Sequence, residues 1–99
     1  MAEFEWDPVK EQRNIEKHDI DFSTASLIWQ ERVLEKIDDR RDYQEVRLRA
    51  WGEVEGRVVA VAFTWRGTVR RIISARKANP RETRVFEKEV RDRSRPTPD

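Results

Sequence analysis

Apolar positions along the 99-residue chain change their period three times, and these changes divide it into elements. Phe4-Glu5-Trp6 alternates and reads as a short opening strand. Asp7-Pro8 then starts a helix. Asp7 can cap it, and Pro8 fits the first helical position, where a missing N–H costs nothing. This helix is expected to end near His18. A second short helix follows, with Asp21 or Ser23 as its cap, and Phe22, Ala25, Ile28 and Trp29 recur in it at helical spacing as a buried stripe.

From Val33 the period becomes two. Val33, Glu35 and Ile37 mark a strand, Asp38-Asp39-Arg40-Arg41-Asp42 a polar loop, and Val46 to Trp51 a strand with one buried and one wet face. Gly52 and Gly56 are expected to bracket a turn or bulge region. Val58 to Phe63 is apolar on both faces, as a central strand is. Arg66-Gly67-Thr68 reads as a tight hairpin turn and Val69 to Arg76 as the last strand. Asn79-Pro80-Arg81-Glu82 then opens a helix running to about Asp92: Asn79 caps it, Pro80 takes the first position, and Glu82 sits where a capping-box acid belongs. The expectation is one α+β domain over residues 1–93, with two N-terminal helices and one C-terminal helix packed on one face of a small antiparallel sheet. Residues 94–99, with Pro96 and Pro98, are expected to form a disordered tail.

Composition sharpens this picture in three ways. Charged residues make up 41% of the chain and hydrophobic ones 36%, a balance close to that of disordered chains, yet four Trp, four Phe and the periodicity supply one modest core. The absence of cysteine excludes disulfides, thiolate zinc sites and a cysteine nucleophile. No apolar run approaches the ~20 residues that span a bilayer, and the acidic N-terminus lacks signal-peptide features. A cytoplasmic protein without a membrane partner is therefore expected.

The net charge of +1 conceals an asymmetry. Residues 1–65 carry ten Lys/Arg and fifteen Asp/Glu, net −5, whereas residues 66–99 carry eleven and five, net +6. Such an imbalance suits either a polyanion-binding side or a solvated skin. Lys10, Asn14, Lys17 and His18 share one face of the first helix at helical spacing, and His18 is the only histidine. In the last strand, strict alternation sends Arg70, Ile72, Ser74 and Arg76 one way and Arg71, Ile73 and Ala75 the other, with Lys77 next. An arginine on a partly apolar face needs an anionic partner. For Arg76 this is Glu82 or a bound phosphate, so a locking ion pair and an active-site pair both fit.

Cleavage of RNA needs neither metal nor cysteine. The 2′-hydroxyl attacks the adjacent phosphorus, and the catalyst supplies a base, an acid and cations for the developing charge. Lys10, His18, Arg76 and Glu82 cover these catalytic roles, and Asn14, Lys17, Arg70, Arg71, Ser74 and Lys77 could contact the RNA. No cofactor is expected. The acidic loop at Asp38, Asp39 and Asp42 lacks a glycine-rich scaffold and reads as solvated acid, not as a metal site. A non-catalytic module binding an acidic partner through the same basic face is the alternative, with Trp51 and Trp65 as interface anchors or as ordinary core residues.

Two stretches carry a resemblance. Phe4-Glu5-Trp6-Asp7-Pro8 with Lys10, Asn14 and Lys17-His18, and Arg71-Ile72-Ile73-Ser74-Ala75-Arg76-Lys77-Ala78 followed by Glu82, resemble the two signatures of the BrnT family. That resemblance implies a RelE-like fold and a bacterial type II toxin that is an endoribonuclease, cuts RNA, inhibits translation and arrests growth. It implies neutralisation by a cognate ribbon-helix-helix antitoxin, as a heterotetramer or larger, with DNA bound only through the antitoxin. The site residues it implies are Lys10, Asn14, Lys17, His18, Arg66, Ser74, Arg76 and Glu82. Two positions depart from the pattern: Asp19 replaces a glycine after Lys17-His18, and Phe86 stands where a tyrosine is frequent.

Overall fold

The computed structural model describes residues 3–94. The chain runs β1 (Glu3–Trp6), α1 (Pro8–His18), α2 (Phe22–Ala25) continuing into a 3-10 turn (Ser26–Gln30), β2 (Leu34–Ile37), β3 (Leu48–Val54), β4 (Arg57–Arg66), β5 (Val69–Lys77) and α3 (Pro80–Ser94). The strands form one sheet in the order β1-β5-β4-β3-β2. Strands β2 to β5 make an antiparallel meander, but β1 lies parallel to β5, so the sheet is mixed and not wholly antiparallel as expected. The helix between β1 and the meander allows this, since β1 returns to the sheet beside the last strand. Of the tail expected over 94–99, Ser94 ends α3 and the rest lies outside the described residues.

Local signals set the helix ends. The Asp7 carboxylate accepts from the Val9 N–H at 2.8 Å, and the Asp21 carboxylate from the Thr24 N–H at 2.6 Å, so Asp21 and not Ser23 caps α2. Asp19 closes α1 in the left-handed region (φ 57), its N–H bonded to the Ile15 carbonyl. Aspartate tolerates that conformation better than most residues, so the missing glycine does not cost the chain its turn. At α3 the capping box forms: the Glu82 N–H donates to Asn79 Oδ1 at 2.8 Å, and the Asn79 N–H donates to Glu82 Oε1 at 3.0 Å.

Each sheet face has its own core. On one face Phe22, Ala25 and Ile28 pack against Ala50, Val59, Val61, Phe63, Ile72 and Ala75. On the other, Phe86 of α3 packs on Trp51, Val58 and Ala60. The helices thus divide between two faces, correcting the expectation of one, because α3 carries its own apolar stripe to the face that α2 leaves bare. Trp51, 6% exposed, is a core residue and not an interface anchor. Gly52 lies inside β3 and does not bracket a turn: a Cβ there would stand 2.5 Å from the Ile28 Cβ, so the glycine lets the 3-10 turn sit on the strand. The turn is made by Glu55 and Gly56, both at positive φ, as a two-residue hairpin of this kind demands.

Register shifts within β5. Ala62 pairs with Ser74 but Phe63 pairs with Ile72, leaving Ile73 unmatched in a bulge. One extra residue inverts every side chain beyond it. Arg70, Ile72 and Ala75 therefore share the α2 face, whereas Arg71, Ser74 and Arg76 share the α3 face. The strict alternation read from the sequence fails at that residue.

The loop before β3 also differs from expectation. Asp38 is buried, not solvated: its carboxylate accepts from Arg40 Nε at 2.8 Å, Arg40 Nη2 at 2.9 Å and the Tyr43 hydroxyl at 3.2 Å. The Arg40 hydrogen bond holds this carboxyl far below the usual range, and the loop is stapled by it. Among the described residues, no helix is long and apolar enough to cross a membrane.

Candidate active site

Asn14 sets the geometry of the site. β1 covers only the first part of the β5 edge, from Val69 to Ile72. Beyond it the edge would expose unpaired backbone, which is costly when buried. Asn14, buried on α1, fills the gap: its side-chain N–H donates to the Ala75 carbonyl at 2.8 Å, and its carbonyl accepts from the Ala75 N–H at 3.1 Å. A third bond runs from the Asn14 amide to the Ile20 carbonyl at 3.1 Å. The carboxamide thus acts as a one-residue strand, and its polar atoms are taken up by backbone.

His18 lies one helical turn beyond Asn14 on the same face, within electrostatic reach of Arg76. The imidazole is half-buried. Burial, then the charges of Lys17 and Arg76, lower its pKa below the ordinary 6.5, so the neutral ring dominates at pH 7.

Arg76 is clamped. Its two terminal nitrogens donate to Glu82 at 2.7 and 2.9 Å, a bidentate pair. Glu82 also accepts from Trp51 Nε1 at 3.0 Å and lies 3.5 Å from Arg49, whose guanidinium stacks on the Trp51 ring at 4.7 Å. The Arg76 hydrogen bonds dominate over burial and, with the Asn79 and Trp51 donors, hold the Glu82 carboxyl at about 2. The same pair raises the Arg76 pKa. Glu82 is therefore a permanent anion joining β3, β5 and α3, and a weak proton acceptor at neutral pH.

The other expected residues separate. Ser74 is exposed on the Arg76 face, one residue from it. Arg71 is on that face too, ion-paired with Glu5. Lys10 and Lys17 are exposed on α1. Arg66 ends β4 and lies 3.6 Å from Glu45, while Lys77 borders Asp19 and Ile20 at the foot of α1. Arg70 is on the far face, its guanidinium 4.6 Å from the Trp29 ring, 4.5 Å from the Trp65 ring and 4.0 Å from Glu35. Burial lowers its pKa against the pull of Glu35. Phe86 packs in the α3 core, so the frequent tyrosine has an apolar substitute. Arg49 escaped the sequence reading as a site residue, and Trp51 entered it only as an interface anchor or core residue. The basic alternation Arg47-Leu48-Arg49 on a wet strand face was the available signal. Among the described residues, no group of three or more His, Cys, Asp or Glu could hold a metal.

An α+β domain with a clamped guanidinium, an imidazole of lowered pKa and further cations has the chemistry to hold a phosphate polyanion. Residues 6–82 match the family of ribonuclease toxins, BrnT, of type II toxin–antitoxin systems, and the chain belongs to that family. It is thus a ribonuclease toxin of a type II system, with RNA as substrate and an antitoxin as partner. A comparison with curated proteins finds no match.

Proposed function

We propose that the chain is a metal-independent endoribonuclease with a RelE-like fold, cleaving RNA by attack of the substrate's own 2′-hydroxyl. The observation that carries this reading is an Arg76 clamped by Glu82 with His18 within electrostatic reach of it, its pKa lowered by burial and by the neighbouring cations. The imidazole takes the 2′-hydroxyl proton as the 2′-oxygen bonds to phosphorus. Arg76 stabilises the charge that develops on the phosphoryl oxygens. The bond to the 5′-oxygen breaks, and that oxygen leaves with a proton from water at the open face. The products are a 2′,3′-cyclic phosphate and a 5′-hydroxyl.

Glu82, acidic to about 2, orients Arg76 and is not the base. Lys10 and Arg66 position the RNA backbone, with Lys17, Arg71 and Ser74 around them, whereas Asn14 supports the site from within and Arg70 packs on the other face. Cleavage inhibits translation and growth in the cytoplasm until a ribbon-helix-helix antitoxin binds, in a heterotetramer or larger complex that alone contacts DNA. The test is cleavage of RNA by purified protein in EDTA. Activity should persist there and fall at least about 100-fold in both His18→Ala and Arg76→Ala. Unchanged activity in both variants overturns the assignment.

A further inference from the structure

A concave groove of about 390 Å³ opens between β2, β3 and the first turns of α3, beside the Arg76–Glu82 clamp. Lys36, Arg49 and Arg81 line it together with Leu34, Trp51 and Val85. Its one carboxylate, Glu82, is already matched by Arg76, so the groove is net cationic. The register explains how it meets the site. Lys36 pairs with Arg49, Arg49 with Ala62, and Ala62 with Ser74, so these four side chains stand in one row on one face. Neighbouring strands lie about 4.8 Å apart, which makes the row about 14 Å long. Ala62 leaves the floor between Arg49 and Ser74 low.

We propose that this groove binds the single-stranded RNA flanking the cleaved phosphate, with Lys36 and Arg81 on its backbone and one base against Arg49, Leu34 and Val85. The proposal rests on the nuclease reading above. A single strand is recognised by a cationic track interleaved with flat or apolar surfaces on which bases stack, and guanidinium planes serve that purpose. Arg49 is held flat by Trp51 on one side and by Glu82 at its end, so it meets a base without losing further side-chain freedom. An acidic segment of a protein partner would satisfy the charges, but it would not require a row in which two small residues, Ala62 and Ser74, lead on from the cationic pair Lys36 and Arg49 toward the Arg76 strand.

The experiment uses Lys36→Ala/Arg81→Ala, both exposed positions, on a 12-nucleotide RNA and its 2′-O-methyl analogue, which lacks the attacking hydroxyl. The expected result is roughly tenfold weaker binding of the analogue and a higher KM on the RNA at unchanged kcat. The slope of log affinity against log salt should fall by about 1.4, two contacts at about 0.7 each for a single strand. If the double variant binds and cleaves like wild type, the track is wrong while the nuclease reading stands. Loss of antitoxin binding with RNA affinity intact also overturns it and assigns the groove to the protein partner. If wild type cleaves no RNA, the nuclease reading itself fails, and the affinity of the analogue still decides whether the groove binds a strand.

Discussion

Glu82→Gln separates a clamp from a base. The carboxylate accepts from Arg76 at 2.7 and 2.9 Å, from Trp51 at 3.0 Å and from the Asn79 N–H at 3.0 Å. An amide of the same shape has one acceptor oxygen and two donors, so at least one Arg76 N–H meets another donor. The magnitude follows from proton affinity. The carboxyl sits at about 2 against an ordinary 4.5, and each unit is ~1.36 kcal/mol, so the fold favours the anion by roughly 3 kcal/mol. The Arg76 side chain is 37% exposed, and solvent screening reduces this to roughly 2 kcal/mol. Because the folded value lies below the unfolded one, this stability is complete above about 4.5 and is lost as pH falls toward 2. Urea unfolding of both proteins should therefore show a gap of roughly 2 kcal/mol at neutral pH, more than half gone by about pH 3. A gap equally wide at both pH values would refute the clamp energetics. In turnover, the variant should lose rate yet keep an acid limb of its pH profile below 6.5, as expected of His18 as the proposed base.

Three further substitutions test the framework. Asn14→Ala strands the Ala75 N–H and carbonyl and should cost about 2–4 kcal/mol, read as a lower urea midpoint. Arg70→Met keeps the packing among Trp29 and Trp65 and removes a buried Nε that has no hydrogen-bond partner among the described residues, so stability should shift by less than about 1 kcal/mol and RNA affinity should not change in a filter-binding titration. Gly52→Ala drives a Cβ into Ile28 and should destabilise by about 1–3 kcal/mol, seen as a lower Tm.

What the sequence made legible was mostly local. Asp7, Asp21 and the Asn79–Glu82 box are caps whose partners lie within three residues, and all three form. Partners far apart in sequence were harder. Asn14 shares a polar spacing with Lys10 and Lys17, yet its partner is 61 residues away and consumes the amide. Arg70 and Arg76 have equal claims by alternation, and the bulge at Ile73 sends them to opposite faces. The basic last third is therefore two things: Arg70 inside an aromatic cage, and Arg76 at the site. Glu82 was expected both as a cap and as a chemical group. Its additional bonds to Trp51 and Arg49 depend on the β3 register, which no local motif encodes.

The parallel pairing of β1 with β5 orders events during synthesis. Glu3 to Trp6 have as their sheet neighbour Val69 to Ile72, made well after them. α1 likewise docks on Ala75. Until those residues emerge, His18 has no Arg76 beside it, and Arg76 in turn has no anchor until Glu82 follows. A chain that still lacks α3 therefore has neither the Arg76–Glu82 clamp nor the proposed catalytic constellation, so assembly of the site is tied to the arrival of Glu82.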